Sequence, residues 1–306
     1  MDKKPIQKLN FRTFSHGLLM GIADSVPGVS GGTIALIIGI YYKLIESLTT
    51  FLNFFKDGFP SKSLNNFLSS IYFLLPLGLG IICSYYLVTK ILVGPDEDPG
   101  LIRQTSTAPY VYAFFFGLVL VSIKEPWGKI SAPSFDNYML LLLGSFLIYF
   151  YTTLSINYSD SNILLVMCGA FALTAMLLPG ISGALVLLAL GQYTRIATAV
   201  HDFYLEPLFF FLFGGILGLV TFVPLMNFFL KQYREYTLSV LTGLMLGSLI
   251  TLWPWKDSYD GEGLSPNLGF GQIVDIYGSL ELILTILLFT LGMSSSFVLK
   301  RYLSEN

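Results

Sequence analysis

Two hydrophobic stretches of the chain are interrupted by the same core, Pro27-Gly28-Val29-Ser30-Gly31 and Pro179-Gly180-Ile181-Ser182-Gly183. Proline removes an N–H donor and glycine opens turn conformations, so neither stretch runs as one unbroken helix. The rest of the chain decides what such a break means. Hydrophobic residues make up 54% of the 306 positions and charged residues 12%, about half the charged share of a soluble domain. The mean hydropathy of +0.70 puts the chain in the membrane class and excludes a large soluble protein. Backbone groups freed inside hydrocarbon must face protein, water or a ligand.

Crossing about 30 Å of hydrocarbon takes about 20 helical residues. Runs 69–92, 137–156, 206–230 and 279–299 meet or approach that length; runs 109–123 and 237–252 cross by borrowing flanking residues such as Lys124 to Trp127 and Trp253 to Trp255. The broken pairs occupy 14–52 and 163–200, each as an arm, a break and a second arm, 33–52 or 184–200. An arm of 13 residues rises only about 20 Å, which favours re-entrant hairpins over extra crossings. With the N-terminus inside, thirteen of the seventeen basic residues fall on the cytoplasmic side, and Lys90, Arg103, Arg195 and Lys256 fall outside with the acidic Asp96, Glu97, Asp98, Asp257, Asp260 and Glu262. That bias predicts both termini in the cytoplasm. The polar segment 1–12 lacks a cleavage pattern and reads as retained.

At an offset of 152 residues the two breaks align without a gap. Gly17, Ala23, Pro27, Gly28, Ser30, Gly31, Leu36, Gly39 and Tyr41 meet Gly169, Ala175, Pro179, Gly180, Ser182, Gly183, Leu188, Gly191 and Tyr193. Downstream, Gly117-Leu118 and Ser122 echo Gly243-Leu244 and Ser248, each running into a Pro-Trp step. The reading is an all-α polytopic membrane protein of two repeats, 1–156 and 157–306, each with one broken hairpin and three spans. An odd number of crossings inserts the second repeat in the opposite sense, an arrangement shared with transporters whose sites use broken helices.

A helix restarting after each break presents unpaired N–H groups, a natural anion site. Ser30, Gly31, Gly32 and Thr33 from one break, and Ser182 and Gly183 from the other, are therefore expected to hold a phosphate or carboxylate, with Pro27, Gly28, Pro179 and Gly180 making the breaks. Packing alone also explains Pro, Gly and Ser at such a kink. Asp24 faces Met176 in the repeat; an intramembrane carboxylate carries a coupling proton or sodium ion, locks the turn through the Gly31 and Gly32 amides, or works on substrate. Lys43 and Arg195 stand at equivalent places about three turns past the breaks, and receive a headgroup at each entrance or snorkel. Lys124 and Glu125 are gate residues or an interfacial ion pair, Gln192 lines the second arm, and His16 assists proton exchange or packs. Cys83 and Cys168 lie alone in apolar runs, and His16 and His201 are far apart; no cofactor, metal site or catalytic set is expected. A net charge of -2 gives no reason to expect nucleic acid.

The segment GIADSVPGVSGGTIALIIGIY within 14–42 and LLPGISGALVLLALGQYTR at 177–195 resemble the two signature regions of the bacterial DUF368 membrane family, and the resemblance covers nearly the whole chain. It implies a polyprenyl-phosphate transporter of the cytoplasmic membrane that returns undecaprenyl phosphate to the inner leaflet, with that lipid and the bilayer as its partners. Competing readings are a carrier of a small soluble anion, a membrane phosphatase, and a structural or assembly protein.

Overall fold

The structure is a computed structural model that describes residues 10–94, 98–153, 161–201, 203–259 and 265–303. Lys3, Lys4, Lys8, Asp96, Glu97, Asp260, Glu262 and the 154–156 end of one expected span lie outside the described residues. Helices α1 (Phe11–Asp24), α2 (Gly31–Ile37) and α3 (Tyr41–Lys56) are followed by α4 (Leu64–Leu92), α5 (Ala108–Ser122), the single turn α6 (Lys124–Trp127) and α7 (Phe135–Thr153). The second set is α8 (Asn162–Leu177), α9 (Gly183–Ala189), α10 (Tyr193–His201), α11 (Leu205–Gln232), α12 (Arg234–Ser248), α13 (Phe270–Ile276) and α14 (Ser279–Leu303). Among the described residues the only β-pairing is an isolated bridge between Lys256 and Asn267. Four helical stretches, 61–92, 108–127, 205–232 and 279–303, are long and apolar enough to cross a membrane. Helix α12 has 15 residues, about 22 Å, and reaches less far than its expected span. Helix α13 lies in a stretch where no element was expected.

The second arms differ from expectation. The apolar runs 33–52 and 184–200 predict continuous arms, and each breaks after a helix of seven residues. Gly39 and Gly191 adopt φ of 81° and 63°, open to glycine at little cost. The Ile40 N–H donates to the Ala35 carbonyl at 2.9 Å and the Gly39 N–H to Leu36 at 3.2 Å; Gln192 to Leu187 at 2.9 Å and Gly191 to Leu188 at 3.0 Å repeat the pattern. These paired bonds are a Schellman turn, and beyond the first of them α3 turns 120° from α2. Lys43 and Arg195 therefore sit in the first turns of α3 and α10, not three turns along an unbroken arm. The 152-residue offset carries α2 onto α9 and the start of α3 onto the start of α10.

Four helix pairs make the most extensive contacts: α1 with α4, α8 with α11, α5 with α14, and α7 with α12. Each crossing is lined by glycine on both helices. A Cβ at Gly17 would strike the Leu77 carbonyl and one at Gly80 that of Phe14; Gly169 meets Phe211 and Gly214 meets Val166. Gly117 and Gly292 face Phe289 and Phe114, and Gly144 and Gly243 face Val240 and Leu141, in the same way. Lipid gives two apolar helices no hydrophobic reason to associate, so close backbone approach through small residues supplies the packing. The outer faces of α4, α7, α11 and α14 carry exposed Ile82, Phe146, Phe209 and Ile286, whereas all seven residues of α2 are buried. The breaks thus lie in the interior, enclosed by the paired helices.

Candidate functional site

In the first break, Asp24 closes α1 and its buried Oδ1 accepts the Gly31 N–H at 2.7 Å. Ser30 caps α2, its Oγ accepting the Gly32 N–H at 3.0 Å while donating to the Met176 carbonyl at 2.9 Å. Of the readings open for Asp24, the turn lock through both glycine amides is met at Gly31 only; Ser30 takes the Gly32 amide. Thr33 Oγ1 accepts the Gly180 N–H at 3.0 Å. Two side-chain bonds therefore cross from one break to the other, and a Cβ on Gly32 would lie 2.6 Å from the Leu177 carbonyl oxygen. The two tips meet. The α2 amides that were to face an anion are engaged within the protein.

The second break follows the same backbone path with fewer bonds. Gly28 and Gly180 have φ of 92° and 84°, and Val29 to Val26 at 3.1 Å is matched by Ile181 to Leu178 at 3.3 Å. Where Asp24 fills the space beside Gly31, Met176 fills the space beside Gly183. Ser182 makes no capping bond to α9, and its buried hydroxyl has no hydrogen-bond partner among the described residues. A lost hydrogen bond in such a place costs roughly 1–3 kcal/mol, so this hydroxyl is the least satisfied group of the paired breaks.

The other expected residues spread around this centre. Gln192 is buried and accepts a bond from Arg195 Nη1 at 3.4 Å. The Lys43 ammonium lies 4.6 Å from the centre of the Phe73 ring on α4, and that of Lys124 lies 4.0 Å from Phe297 on α14. Glu125 is buried and paired with Lys300 at 2.7 Å, a partner 175 positions away that no local pattern indicates. His16 is buried, with Nε2 3.0 Å from the Leu303 carbonyl oxygen. Lys43, Lys124, Glu125 and His16 are thus not joined to the breaks by these contacts.

Other groups near the site gave no signal in the sequence. Tyr85 of α4 lies within electrostatic reach of both Asp24 and Tyr193. Past the end of α12, Lys256 lies 5.3 Å from the centre of the Tyr112 ring of α5, and desolvation pushes its ammonium down to about 8. At the other end of α12, Tyr42, Lys129 and Arg234 converge. They stand far apart in the chain, and only folding brings them together.

The chain is 37% identical over 249 residues to a polyprenyl-phosphate transporter of Vibrio cholerae serotype O1, covering 80% of this chain and 78% of that protein. It is 26% identical over 272 residues to a polyprenyl-phosphate transporter of Staphylococcus aureus, covering 81% of this chain and 88% of that one. No solved structure matches the chain. The profile of the VCA0040-like family, described as undecaprenyl phosphate translocase-like, matches residues 20–263, which include both breaks and helices α2 to α12. The chain belongs to that family.

Proposed function

We propose that this protein carries polyprenyl phosphate, with undecaprenyl phosphate as the substrate, from the outer to the inner leaflet of the bacterial cytoplasmic membrane. Both termini lie in the cytoplasm, and the two repeats are inverted. The observation that carries this reading is the meeting of the two duplicated breaks inside the helix pairs, with a buried hydroxyl on Ser182 left unpartnered. The names of the relatives support the lipid phosphate as cargo.

Moving a phosphate through hydrocarbon requires replacing its water by fixed dipoles. Arg195 and Gln192 receive the headgroup outside. At the centre, Ser182 and the Gly183 amide accept it first, because Ser30, Gly31, Gly32 and Thr33 are already bonded. Release of Ser30 from Met176 and of Thr33 from Gly180 parts the breaks and shifts access to the other side, while the prenyl tail stays in lipid. Asp24 is the coupling group: protonation weakens its hold on the Gly31 N–H and frees that donor for phosphate. A sodium ion at Asp24 is the alternative coupling ion.

Purified protein in liposomes carrying undecaprenyl phosphate tests this reading, with leaflet exchange followed under imposed proton and sodium gradients. Acceleration over protein-free liposomes is expected. No acceleration under any gradient would overturn it, and transport of a soluble anion in its place would favour the competing carrier reading.

A further inference from the structure

Helix α12 begins at Arg234, and Lys129 follows α6, which prolongs α5. At the far ends of the same two helices stand Lys256 and Tyr112. The helices therefore run in opposite directions, and each 15-residue helix separates its two ends by about 22 Å.

At the Arg234 end, Tyr42 of α3 is the meeting point. The Arg234 guanidinium lies 5.2 Å from the centre of its ring, with Nε donating to Tyr42 Oη at 3.3 Å, and the Lys129 ammonium lies 5.5 Å from the same centre. Two cations thus share one aromatic ring and its hydroxyl. The counter-charges nearby are partly spent. Glu125 is bound to Lys300 at 2.7 Å, Glu46 to Lys231 at 3.1 Å, and Glu235 accepts the Ser131 N–H at 3.2 Å. Lys129 is lowered from its ordinary value by desolvation, and Arg234 and Lys300 push the same way against the pull of Glu125. Cations that repel one another around a shared ring are relieved by an anion that bonds to both. Arg234 is exposed and Lys129 and Tyr42 are half-buried, so the cluster is open to a ligand. It also stands at the N-terminus of α12, whose dipole favours an anion.

We infer that Arg234, Lys129 and the Tyr42 hydroxyl form a docking site for a phosphomonoester, the planar guanidinium gripping two oxygens and the ammonium a third. This deepens the transport reading and rests on it: the site receives the lipid headgroup at the cytoplasmic end after it leaves the breaks. It also replaces Lys43, which the sequence suggested for that role and which lies on the Phe73 ring.

The test is binding by full-length purified protein in detergent. Undecaprenyl phosphate is the probe, undecaprenol the control lacking phosphate, and inorganic phosphate the soluble arm; transport is measured in parallel. The wild type is expected to bind undecaprenyl phosphate and not undecaprenol. Lys129→Gln with Arg234→Gln should weaken binding about 10-fold or more, and Tyr42→Phe about 3-fold. Wild-type binding in the double variant, with transport of the lipid intact, would overturn the site and leave the transport reading standing. Loss of inorganic phosphate binding in the double variant, in a protein that moves no lipid, would retain the site for free phosphate and sink the transport reading. If the double variant aggregates, Arg234→Lys and Tyr42→Phe are measured in its place; wild-type affinity in both would overturn the site.

Discussion

The two breaks share Pro-Gly-x-Ser-Gly and the same backbone path, yet their side chains are bonded differently. Ser30 caps its helix and reaches the opposite break, whereas Ser182 does neither; Asp24 holds an amide where Met176 only fills space. The same motif is thus bonded in two different ways. The first break is a satisfied structural knot, and the second keeps a polar group without a partner. An unpartnered polar group in an apolar interior is costly, and in the proposed cycle the phosphate relieves that cost.

Substitutions at matched positions break or sharpen this contrast. The largest effect is expected at the first glycines. Alanine at Gly28 or Gly180 pays about 1–2 kcal/mol for the left-handed backbone. At Gly28 its Cβ meets the Oγ1 of Thr251, which yields only by giving up its bond to the Ser248 carbonyl; at Gly180 it meets the backbone of Leu244 at 2.6 Å, which has no side-chain rotation to yield by. Gly180→Ala should therefore lower the unfolding temperature in detergent clearly more than Gly28→Ala. Equal losses would show that the two breaks are held alike.

A smaller stability effect is expected at Ser30. Ser30→Ala leaves the Gly32 N–H and the Met176 carbonyl without their partner, a loss of about 2–3 kcal/mol, and should lower the unfolding midpoint. Asp24→Asn should cost less, about 1 kcal/mol, because the amide oxygen still accepts the Gly31 N–H. Its signature is functional: the response of transport to an imposed pH gradient should disappear while the protein stays folded. A response that persists in Asp24→Asn would remove Asp24 from coupling.

Much of the fold was legible because its signals are local. The long apolar runs gave α4, α11 and α14, and the matched Pro, Gly and Ser gave both breaks and their duplication. Gly39 and Gly191 stood in the alignment, but Gly39 lies between Ile38 and Ile40 and Gly191 ends the apolar run 184–190, so the C-cap signal of each glycine was masked. The bonds that join the two tips have no local signal in the sequence. Ser30 and Ser182 are the same residue at matched positions, and what distinguishes them is the bonding of Ser30 to the Gly32 N–H and the Met176 carbonyl, which Ser182 does not repeat. The cluster on Tyr42 was illegible for a related reason, since Lys129 and Arg234 read singly as ordinary cytoplasmic charges. Position along the chain assigns a charge an expected side, but not the ring it shares.

The division of labour between the breaks is tested most directly by transport in Ser182→Ala. Undecaprenyl phosphate exchange between leaflets would be compared for wild type and variant, with thermal unfolding of each measured in the same preparation. The account predicts an unfolding midpoint at or slightly above that of the wild type, because an unpartnered buried hydroxyl has been removed, together with a fall in transport of about 10-fold or more. Undiminished transport by a folded Ser182→Ala protein would contradict it.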